Sequence, residues 1–498
     1  MAGRIYGLET EYGCLTRLED RLSDPDTISS RVKDWVFQES SLGIVDIHYR
    51  DRGEPPGNGG FLFNSGRIYI DMGHLEYTTP ECSSVFDLVA FDKAGDRILL
   101  KALEGLGLRE TVSFFKNNID HHTGATFGCH ENYLLSRKVS FGRVAIPTLL
   151  PFFVTRQIFA GAGRVGQYDD LFGYYGLEDD QEPVVFQISQ RADHIVTEVY
   201  QWIQFSRAII NTRDEPLADP TRFRRLHLLV GDSNMSEYAA ALKIGTTSLV
   251  LDLIERGIIP RRTHLMDPVR AIREISRDTS FRWIVELYDG RTISAVDLQR
   301  KYLRLAQKYL SGRNEESDWI LRAWESVLDD LERDPMLLAD RVDWVAKKWL
   351  LETFIASEGL SWDDPWIQSL DLEYHNLDEK KGLYYELEQR GAIRRAITEA
   401  QIDRAVRSPP QTTRAKARAV VVRALAETGI PYIINWDSIY VENGASLRMD
   451  DPLRTYEREA SDFIERLGGL SLVWSKVLKN RRWRGTRMGT GEEGVDWT

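Results

Sequence analysis

The segment GRIYIDMGHLEYTTPEC, residues 66–82, carries the strongest structural signal in this chain. Its first six residues alternate polar and apolar side chains, and so do residues 4–13, RIYGLETEYG. An alternation with a period of two predicts β-strands whose polar side chains line one face of a sheet. Five such side chains fall on these two strands: Glu9, Glu11, Arg67, Tyr69 and Asp71. The sequence therefore predicts a sheet with a polar face on which a solvated site can form.

The carboxylates of these two strands suit a magnesium ion. Mg²⁺ takes hard oxygen ligands and is usually bound through one or two carboxylates together with nucleotide phosphates. Glu9, Glu11 and Asp71 would supply such ligands if their strands lie close together. The alternative interpretation is a half-solvated sheet whose polar face meets water, and the spacing alone leaves both open.

A second polar cluster covers residues 115–118, FKNN, and residues 128–133, GCHENY. His130 and Asn132 share one face of a predicted strand and could contact substrate or nucleotide. A zinc site is the competing hypothesis, with four candidate ligands: His121, His122, Cys129 and His130. It is disfavoured because adjacent residues of a strand point to opposite sides of the sheet.

Arginines beside carboxylates and amides form a third cluster, in residues 187–191, 211–216 and 224–227. A guanidinium group binds phosphate or carboxylate through two parallel hydrogen bonds. The cluster therefore predicts an anion clamp with four candidate members: Arg191, Arg213, Arg225 and His227. Structural ion pairs would give the same pattern and stay open as the alternative.

Residues 161–166, GAGRVG, match the GxGxxG fingerprint of dinucleotide-binding proteins. That fingerprint must open a helix directly after a strand, whereas the residues that follow here have no helical pattern. A dinucleotide site is therefore disfavoured. The sequence also has no GxxxxGK[ST] phosphate loop, GxSxG elbow or HExxH helix.

The composition is that of a globular protein: 498 residues, 42% hydrophobic and 28% charged, which argues against disorder, collagen and coiled coil. Helical periodicity covers four segments: 83–106, 193–205, 235–256 and 296–354. Two prolines at 409–410 should end a helix and mark a boundary. We predict an α+β main domain at residues 1–407, a small C-terminal domain at 408–478 and a tail at 479–498.

The net charge of −12 predicts that the molecule repels nucleic acid and anionic membranes. An acidic partner would therefore need a local basic patch, and residues 476–487 carry six basic and no acidic side chains. A solubilising disordered tail is the alternative role for this segment. Three widely spaced cysteines, no signal peptide and no spanning apolar segment predict a soluble, cytoplasmic protein.

Taken together, these clusters resemble the family of Pup ligases and depupylases, relatives of glutamine synthetase that attach or remove the prokaryotic ubiquitin-like protein Pup. The resemblance rests on GLETEYG at 7–13, GRIYID at 66–71, EYTTPEC at 76–82, KNN at 116–118, HENYL at 130–134, SQR at 189–191, INTRDEP at 210–216, RRLH at 224–227 and NW at 435–436. It implies a curved antiparallel sheet with a concave nucleotide-binding face backed by helices, plus a small C-terminal α/β domain.

The resemblance also implies roles for individual residues. Asp71 matches the catalytic aspartate of the family. The expected Mg²⁺ ligands are Glu9, Tyr69 and Glu76, and the expected ATP contacts are Arg67, Thr79 and Trp436. Further candidates for the site are Glu11, His130, Asn132, Arg191, Arg213, Arg225 and His227. The implied partners are an acidic Pup or Pup-like modifier and proteins with target lysines.

The family has two branches with opposite reactions, and the sequence has features of both. Ligases join the C-terminal glutamate of the modifier to a lysine through a glutamyl phosphate. Depupylases hydrolyse that isopeptide bond, and some deamidate a C-terminal glutamine. We expect a depupylase. This branch is favoured by the loop at 39–60, by the five-residue step from Asp71 to Glu76, and by residues 163–166, 331–336 and 381–384. The alternative is a ligase, which is favoured by ligase-like segments at 128–130, 231–237 and 409–414. Two other hypotheses also stay open: a non-catalytic binding module and a small-molecule amide ligase.

Overall fold

A computed structural model describes residues 3–17, 24–50, 54–121, 123–166, 185–201, 207–442 and 444–480. Side chains are described up to residue 468. The basic segment at 476–487 and His122 of the zinc hypothesis therefore lie wholly or mainly outside the described residues.

The described residues begin with a strand and end with a helix. The strands are β1 (Tyr6–Thr16), β2 (Gly43–Val45), β3 (Gly59–Leu62), β4 (Arg67–Asp71), β5 (His74–Thr78), β6 (Val112–Phe115), β7 (Cys129–Ser136), β8 (Arg164–Val165), β9 (Phe186–Gln187), β10 (Thr197–Tyr200), β11 (Ala208–Asn211), β12 (Phe223–Leu228), β13 (Ile284–Glu286), β14 (Thr292–Ser294), β15 (Tyr432–Ile434), β16 (Ser438–Val441) and β17 (Ser446–Arg448). Most of the early strands belong to one sheet.

Long helices dominate the second half of the chain. The α-helices of the described residues, from both halves of the chain, are α1 (Pro25–Asp34), α2 (Val85–Gly105), α3 (Ile146–Ala160), α4 (Glu237–Glu255), α5 (Pro268–Arg277), α6 (Ala295–Leu310), α7 (Glu315–Arg333), α8 (Asp343–Glu358), α9 (Pro365–Glu373), α10 (Leu383–Gln389), α11 (Glu399–Arg407), α12 (Ala415–Thr428) and α13 (Glu457–Asn480). None of the described helices has the length and apolar character needed to cross a membrane.

The largest sheet of the described residues has ten strands, in the order β10-β11-β12-β7-β1-β5-β4-β3-β2, with β6 also paired to β1. Its neighbouring strands are antiparallel except β10 and β11. The register places Glu9 opposite Thr78 on one side and opposite His130 on the other. Tyr69 lies opposite Glu76. The polar faces of β1, β4, β5 and β7 are therefore adjacent.

The opposite face of this sheet packs on helices. Leu8 of β1 lies in a buried core with residues of α2, α3 and α4, and Tyr77 of β5 packs with the second half of α2. A Cβ atom at Gly95 would collide with the Tyr77 ring, so glycine lets α2 approach the sheet. Alternation thus directs the apolar residues to the helices and the polar residues to the open face.

The C-terminal residues form a smaller layer in which α12 and α13 cover the three-stranded sheet β15-β16-β17. Its apolar core also contains two residues of the first strands, Ile44 and Phe61. Helix α11 ends at Arg407, just before the two prolines. The structure thus ends the helix where the sequence predicts it, while the independence of residues 408–478 as a domain stays a prediction.

Two local predictions are wrong. The described part of the predicted helix at 193–205, residues 193–201, does not form an α-helix, because a 3₁₀ turn at Ala192–His194 is followed by β10. Exposure alternates along β10, as in a strand at the edge of a sheet, and its pairing with β11 overrides the helical pattern. The loop predicted at 39–60 also contains β2 and the start of β3.

The described residues of the GxGxxG match do not have the strand before the glycines that a dinucleotide site requires. Residues 161–166 follow α3 and contain the short strand β8 rather than the start of a helix. Gly163, with φ of +75°, supplies a left-handed turn between these two elements.

Candidate active site

A cavity of about 890 Å³ opens on the polar face of the large sheet. Its walls come from the strands that the register brings together, from the loop between β2 and β3, and from the C-terminal layer. It contains most of the residues singled out from the sequence: Glu9, Arg67, Tyr69, Asp71, Glu76, Thr79, His130, Asn132, Arg213, Arg225, His227 and Trp436.

Four carboxylates converge at one end of this cavity, three of them in its wall (Glu9, Asp71 and Glu76) and Glu11 beside them. One ligand oxygen from each of Glu11, Asp71 and Glu76 lies within 4.8 Å of the other two. Glu9 forms a second group of the same size with His130 and His227. Strand pairing explains this convergence, since Glu11 lies opposite Glu76 in the β1–β5 register.

Burial and mutual repulsion set the charge of this cluster. Glu76 is 1% exposed, and burial, followed by the charges of Glu9, Glu11 and Asp71, raises its pKa well above the usual range. The Tyr69 hydroxyl donates a hydrogen bond to it. Burial, with Glu11 next, also raises the pKa of Asp71 to about 6.

The other two carboxylates are ionised by neighbouring histidines. Burial opposes the charge of Glu11, but a contact of 3.1 Å with His74 Nδ1 helps lower its pKa to about 2. Burial likewise opposes the charge of Glu9, whose pKa is lowered well below the usual range by His130 and His227. The cluster therefore holds negative charge in a partly desolvated site.

This arrangement fits a hard divalent cation. Buried carboxylates of like charge need a counter-ion, and Mg²⁺ accepts carboxylate and phenol oxygens. His227 borders the same group, and neither ring nitrogen of this buried side chain has a hydrogen-bond partner. Its Nε2 atom lies 3.6 Å from Glu9 Oε2, and burial lowers the pKa of His227 to about 4. Imidazole nitrogen suits softer cations than Mg²⁺, so the expected Mg²⁺ ligands remain the oxygen donors.

Arg67 is held by two carboxylates at the edge of the cavity. Its Nη2 atom lies 2.7 Å from both Asp46 Oδ2 and Glu54 Oε2, and its guanidinium lies 4.4 Å from the centre of the Tyr69 ring. Arg50 joins the same group and donates a hydrogen bond of 3.1 Å to Asp46. The predicted anion contact is thus neutralised by acidic side chains of the β2–β3 loop.

The other two expected nucleotide contacts also lie in the cavity wall. The Thr79 hydroxyl accepts a hydrogen bond of 3.0 Å from the Leu8 backbone, which fixes it beside β1. Trp436 comes from the turn between β15 and β16, and its ring packs edge-on against Phe61 at 5.1 Å. This contact brings an aromatic face of the C-terminal layer to the sheet.

The arginine cluster divides into cavity residues and structural residues. Arg225 lies 3.5 Å from Glu9 and donates to Asn132, and Arg213 lines the cavity beside Glu215. Arg191 is absent from the wall, fully buried and bonded to the Phe127 and Leu229 carbonyl groups. The structure therefore assigns Arg191 to the support of the fold and keeps Arg213 and Arg225 as clamp candidates.

The zinc hypothesis is also not supported by the described ligands. His121 is 2.9 Å from Asp371, whereas His130 lies in the cavity beside Glu9. Cys129 points to the opposite face, where its thiol lies near Lys243 and burial raises its pKa. The opposite directions of Cys129 and His130 follow from strand alternation.

Sequence reasoning missed several residues of the site. His74, which contacts Glu11, alternates with Glu76 on β5 and could have been found from that spacing. Glu54 lies in an irregular loop, so periodicity gave no signal for it. Glu81 and Arg414 also line the cavity; their pairing joins residues far apart in sequence.

Comparisons with known proteins identify relatives of this chain. A family model described as Pup-ligase protein matches residues 4–440. A Pup–protein ligase of Nocardioides sp. is 40% identical over 481 residues, covering 93% of this chain and all of that protein. A Pup–protein ligase of Kineococcus radiotolerans is 39% identical, covering 94% of this chain and 99% of that protein.

Two solved structures are similar over most of their length. The complex between the prokaryotic ubiquitin-like protein Pup and its ligase PafA matches with a TM-score of 0.81 and 32% identity, covering 99% of both chains. The Pup ligase PafA in complex with ADP matches with a TM-score of 0.74 and 35% identity, covering 91% of this chain and 95% of that one. The predicted glutamine synthetase-like α+β fold is confirmed.

The expectation of a depupylase is wrong. The curated relatives reported above are ligases, and the loop that favoured the hydrolytic branch is shortened by β2 and β3 to the connection between Val45 and Gly59. Short motifs shared by two branches of one fold could not separate them. On its match over residues 4–440 and its identity with these relatives, the chain belongs to the Pup ligase family.

Proposed function

We propose that this protein is a ligase that uses ATP and Mg²⁺ to join the C-terminal glutamate of a Pup-type modifier to lysines of other proteins. The observation that carries the proposal is the convergence of Glu9, Tyr69, Asp71 and Glu76 in one cavity of a Pup ligase family member. Similarity to a Pup ligase in complex with ADP supports the use of a nucleotide.

Different residues of the cavity would serve different steps of this reaction. Glu9, Tyr69 and Glu76 would hold Mg²⁺, which when bound supplies positive charge to the phosphates of ATP. Trp436 and Thr79 would contact the nucleotide. The modifier carboxylate is then activated as an acyl phosphate, and a lysine amine attacks it with loss of phosphate.

Asp71 would serve the second half of the reaction. A lysine ammonium must lose a proton before it attacks, and a carboxylate within reach of it can accept that proton. Burial raises the pKa of Asp71 to about 6, closer to neutral pH, where an acceptor is more effective. Arg213 and Arg225 would bind anionic groups of the modifier or of the phosphate.

A conjugation assay tests the proposed function directly. Incubation with a Pup-type modifier ending in glutamate, a lysine-containing protein, ATP and Mg²⁺ should give a conjugate whose mass equals the sum of its parts minus one water, together with ADP and phosphate. A protein with blocked lysines is the control and should give no conjugate. Release of modifier from a preformed conjugate without any conjugation would overturn the proposal, and ATP turnover with only glutamate and ammonia would indicate a small-molecule amide ligase.

Replacing Glu54 with glutamine should lower the KM for ATP. Glu54 pairs with Arg67 at 2.7 Å, so the substitution frees the guanidinium for phosphate. Because the Glu54 side chain is 24% exposed, we expect a modest effect, on the order of threefold. Steady-state kinetics with varied ATP measure it, and the exposed Glu39→Gln on the segment before β2 is the control. A raised KM would mean instead that Glu54 itself contributes to binding.

A further inference from the structure

Glu81, just after β5, anchors the C-terminal layer to the large sheet. It is 9% exposed, and its carboxylate accepts hydrogen bonds from Arg414 Nε at 2.6 Å and from Arg418 Nη1 at 3.0 Å. Burial would raise the pKa of Glu81, but Arg418 and Arg414 lower it to about 2. The Thr413 hydroxyl adds a hydrogen bond of 2.7 Å to the Glu81 carbonyl group. One acidic residue thus fixes the start of α12.

Arg418 connects this anchor to Trp436 in two ways. Its Nη1 atom donates a hydrogen bond of 2.7 Å to the Trp436 carbonyl oxygen. Its guanidinium carbon lies 4.8 Å from the centre of the Trp436 ring and 5.5 Å from that of Phe61. Arg418 also donates to the Ser65 carbonyl group and is completely buried. It therefore fixes both the backbone and the ring of Trp436 relative to the sheet.

The cavity wall contains Trp436 but not Arg418. Arg418 can therefore act on a bound nucleotide only through wall residues that its side chain contacts, which are Trp436 and Glu81, and the Trp436→Ala background separates these two routes. Other contacts join the two layers without touching this ring, such as that between Tyr432 and the Val45 carbonyl group and that between Arg222 and Asp451. Holding the layers together does not require the Arg418 contacts with Trp436.

We propose that Glu81 and Arg418 are positioning residues that set the Trp436 ring for nucleotide binding. This rests on one part of the proposed function, the contact of Trp436 with the nucleotide. An arginine can orient the ring because its planar guanidinium stacks on aromatic faces and binds a carboxylate at the same time. A lysine keeps the charge but loses both features, so Arg418→Lys separates geometry from charge.

Binding of a fluorescent ADP derivative, measured without modifier, tests the proposal. We expect Arg418→Lys to raise the Kd about tenfold, the equivalent of 1.4 kcal/mol, and Glu81→Gln to raise it in the same direction. In a Trp436→Ala background, Arg418→Lys should cause no further increase, because coupled residues give non-additive effects. Arg423→Lys is the matched control: it lies on the same helix and contacts Phe63 and the Arg407 carbonyl group instead.

Three outcomes would overturn the proposal. They are an unchanged Kd in folded Arg418→Lys, an equal increase of the Kd in the Trp436→Ala background, or a parent chain that binds no ADP. Thermal melting identifies variants that fail to fold. If Arg418→Lys is one of them, the Kd of Glu81→Gln, measured with and without Trp436→Ala, decides instead. A parent chain that binds ADP but forms no conjugate would overturn the proposed ligase activity alone, leaving the role of Arg418 to be decided by the Kd values.

Discussion

Asp71→Asn is expected to reduce conjugation by a factor on the order of 10² to 10⁴, the usual contribution of a general base. An amide cannot accept the lysine proton, while its size preserves the turn from β4 to β5. That turn places Met72 and Gly73 at φ of +46° and +92°, so the end of β4 is fixed by backbone geometry. Formation of conjugate over time, followed by gel or mass spectrometry, measures the loss.

The partial reactions make this prediction specific. If Asp71 acts on the lysine, the asparagine variant should still bind ADP and still form ADP from ATP and modifier. Asp26→Asn is a suitable control, since this carboxylate faces Gly73 from α1 but does not line the cavity. Loss of ADP formation together with conjugation would assign Asp71 to activation of the modifier. Unchanged conjugation would remove it from the mechanism.

Mg²⁺ should stabilise the protein and release protons when it binds. Burial and three neighbouring carboxylates keep the pKa of Glu76 well above its usual range, so without a cation the fold favours the protonated form of this residue. A ligating carboxylate must lose that proton. At a hundred times its Kd, a ligand stabilises the folded state by about 2.7 kcal/mol, which should raise the Tm by a few degrees.

The pH dependence of this effect has a definite sign. A carboxylate whose pKa is raised by folding stabilises the protein at low pH, and this stability is lost as the pH rises through the folded-state value. The cation-free protein should therefore lose stability as the pH rises. The increase in Tm that Mg²⁺ causes should become larger over the same pH range. Thermal melting at several pH values, with and without Mg²⁺, measures it.

Glu76→Gln should abolish this response and lower conjugation at least about 100-fold, since even partners of metal ligands cost 10 to 100-fold when removed. Glu315→Gln, an exposed residue at the start of α7, is the matched control. An equal Mg²⁺-dependent increase in Tm for Glu76→Gln would exclude this residue as a ligand.

Period-two alternation was sufficient to predict the central strands and their polar face. Glu9, Tyr69 and Asp71 were grouped correctly because side-chain direction in a strand follows from spacing alone. The long helices were predicted from periodicity for the same reason, and α2, α4, α6 and α7 lie where the sequence places them. Local patterns therefore identified the parts of the site that individual strands provide.

The rest depended on contacts between distant parts of the chain. No local pattern relates Glu54 to Arg67, or Glu81 to Arg418, since loop conformation and packing between layers bring these pairs together. The strand β10 was predicted as a helix because its four residues take their conformation from pairing with β11. The direction of the reaction could not be inferred either, because both branches of the family share the carboxylate motifs.

The sharing of Ile44 and Phe61 between the first strands and the C-terminal core has a consequence for biosynthesis. Trp436 leaves the ribosome after almost the entire chain, on the order of half a minute after Phe61 at ordinary rates of translation. Until then both apolar residues lack their partners, and the nucleotide cavity lacks a wall. A nascent or prematurely terminated chain therefore cannot assemble this site, and its exposed strands make it a substrate for chaperones and proteases.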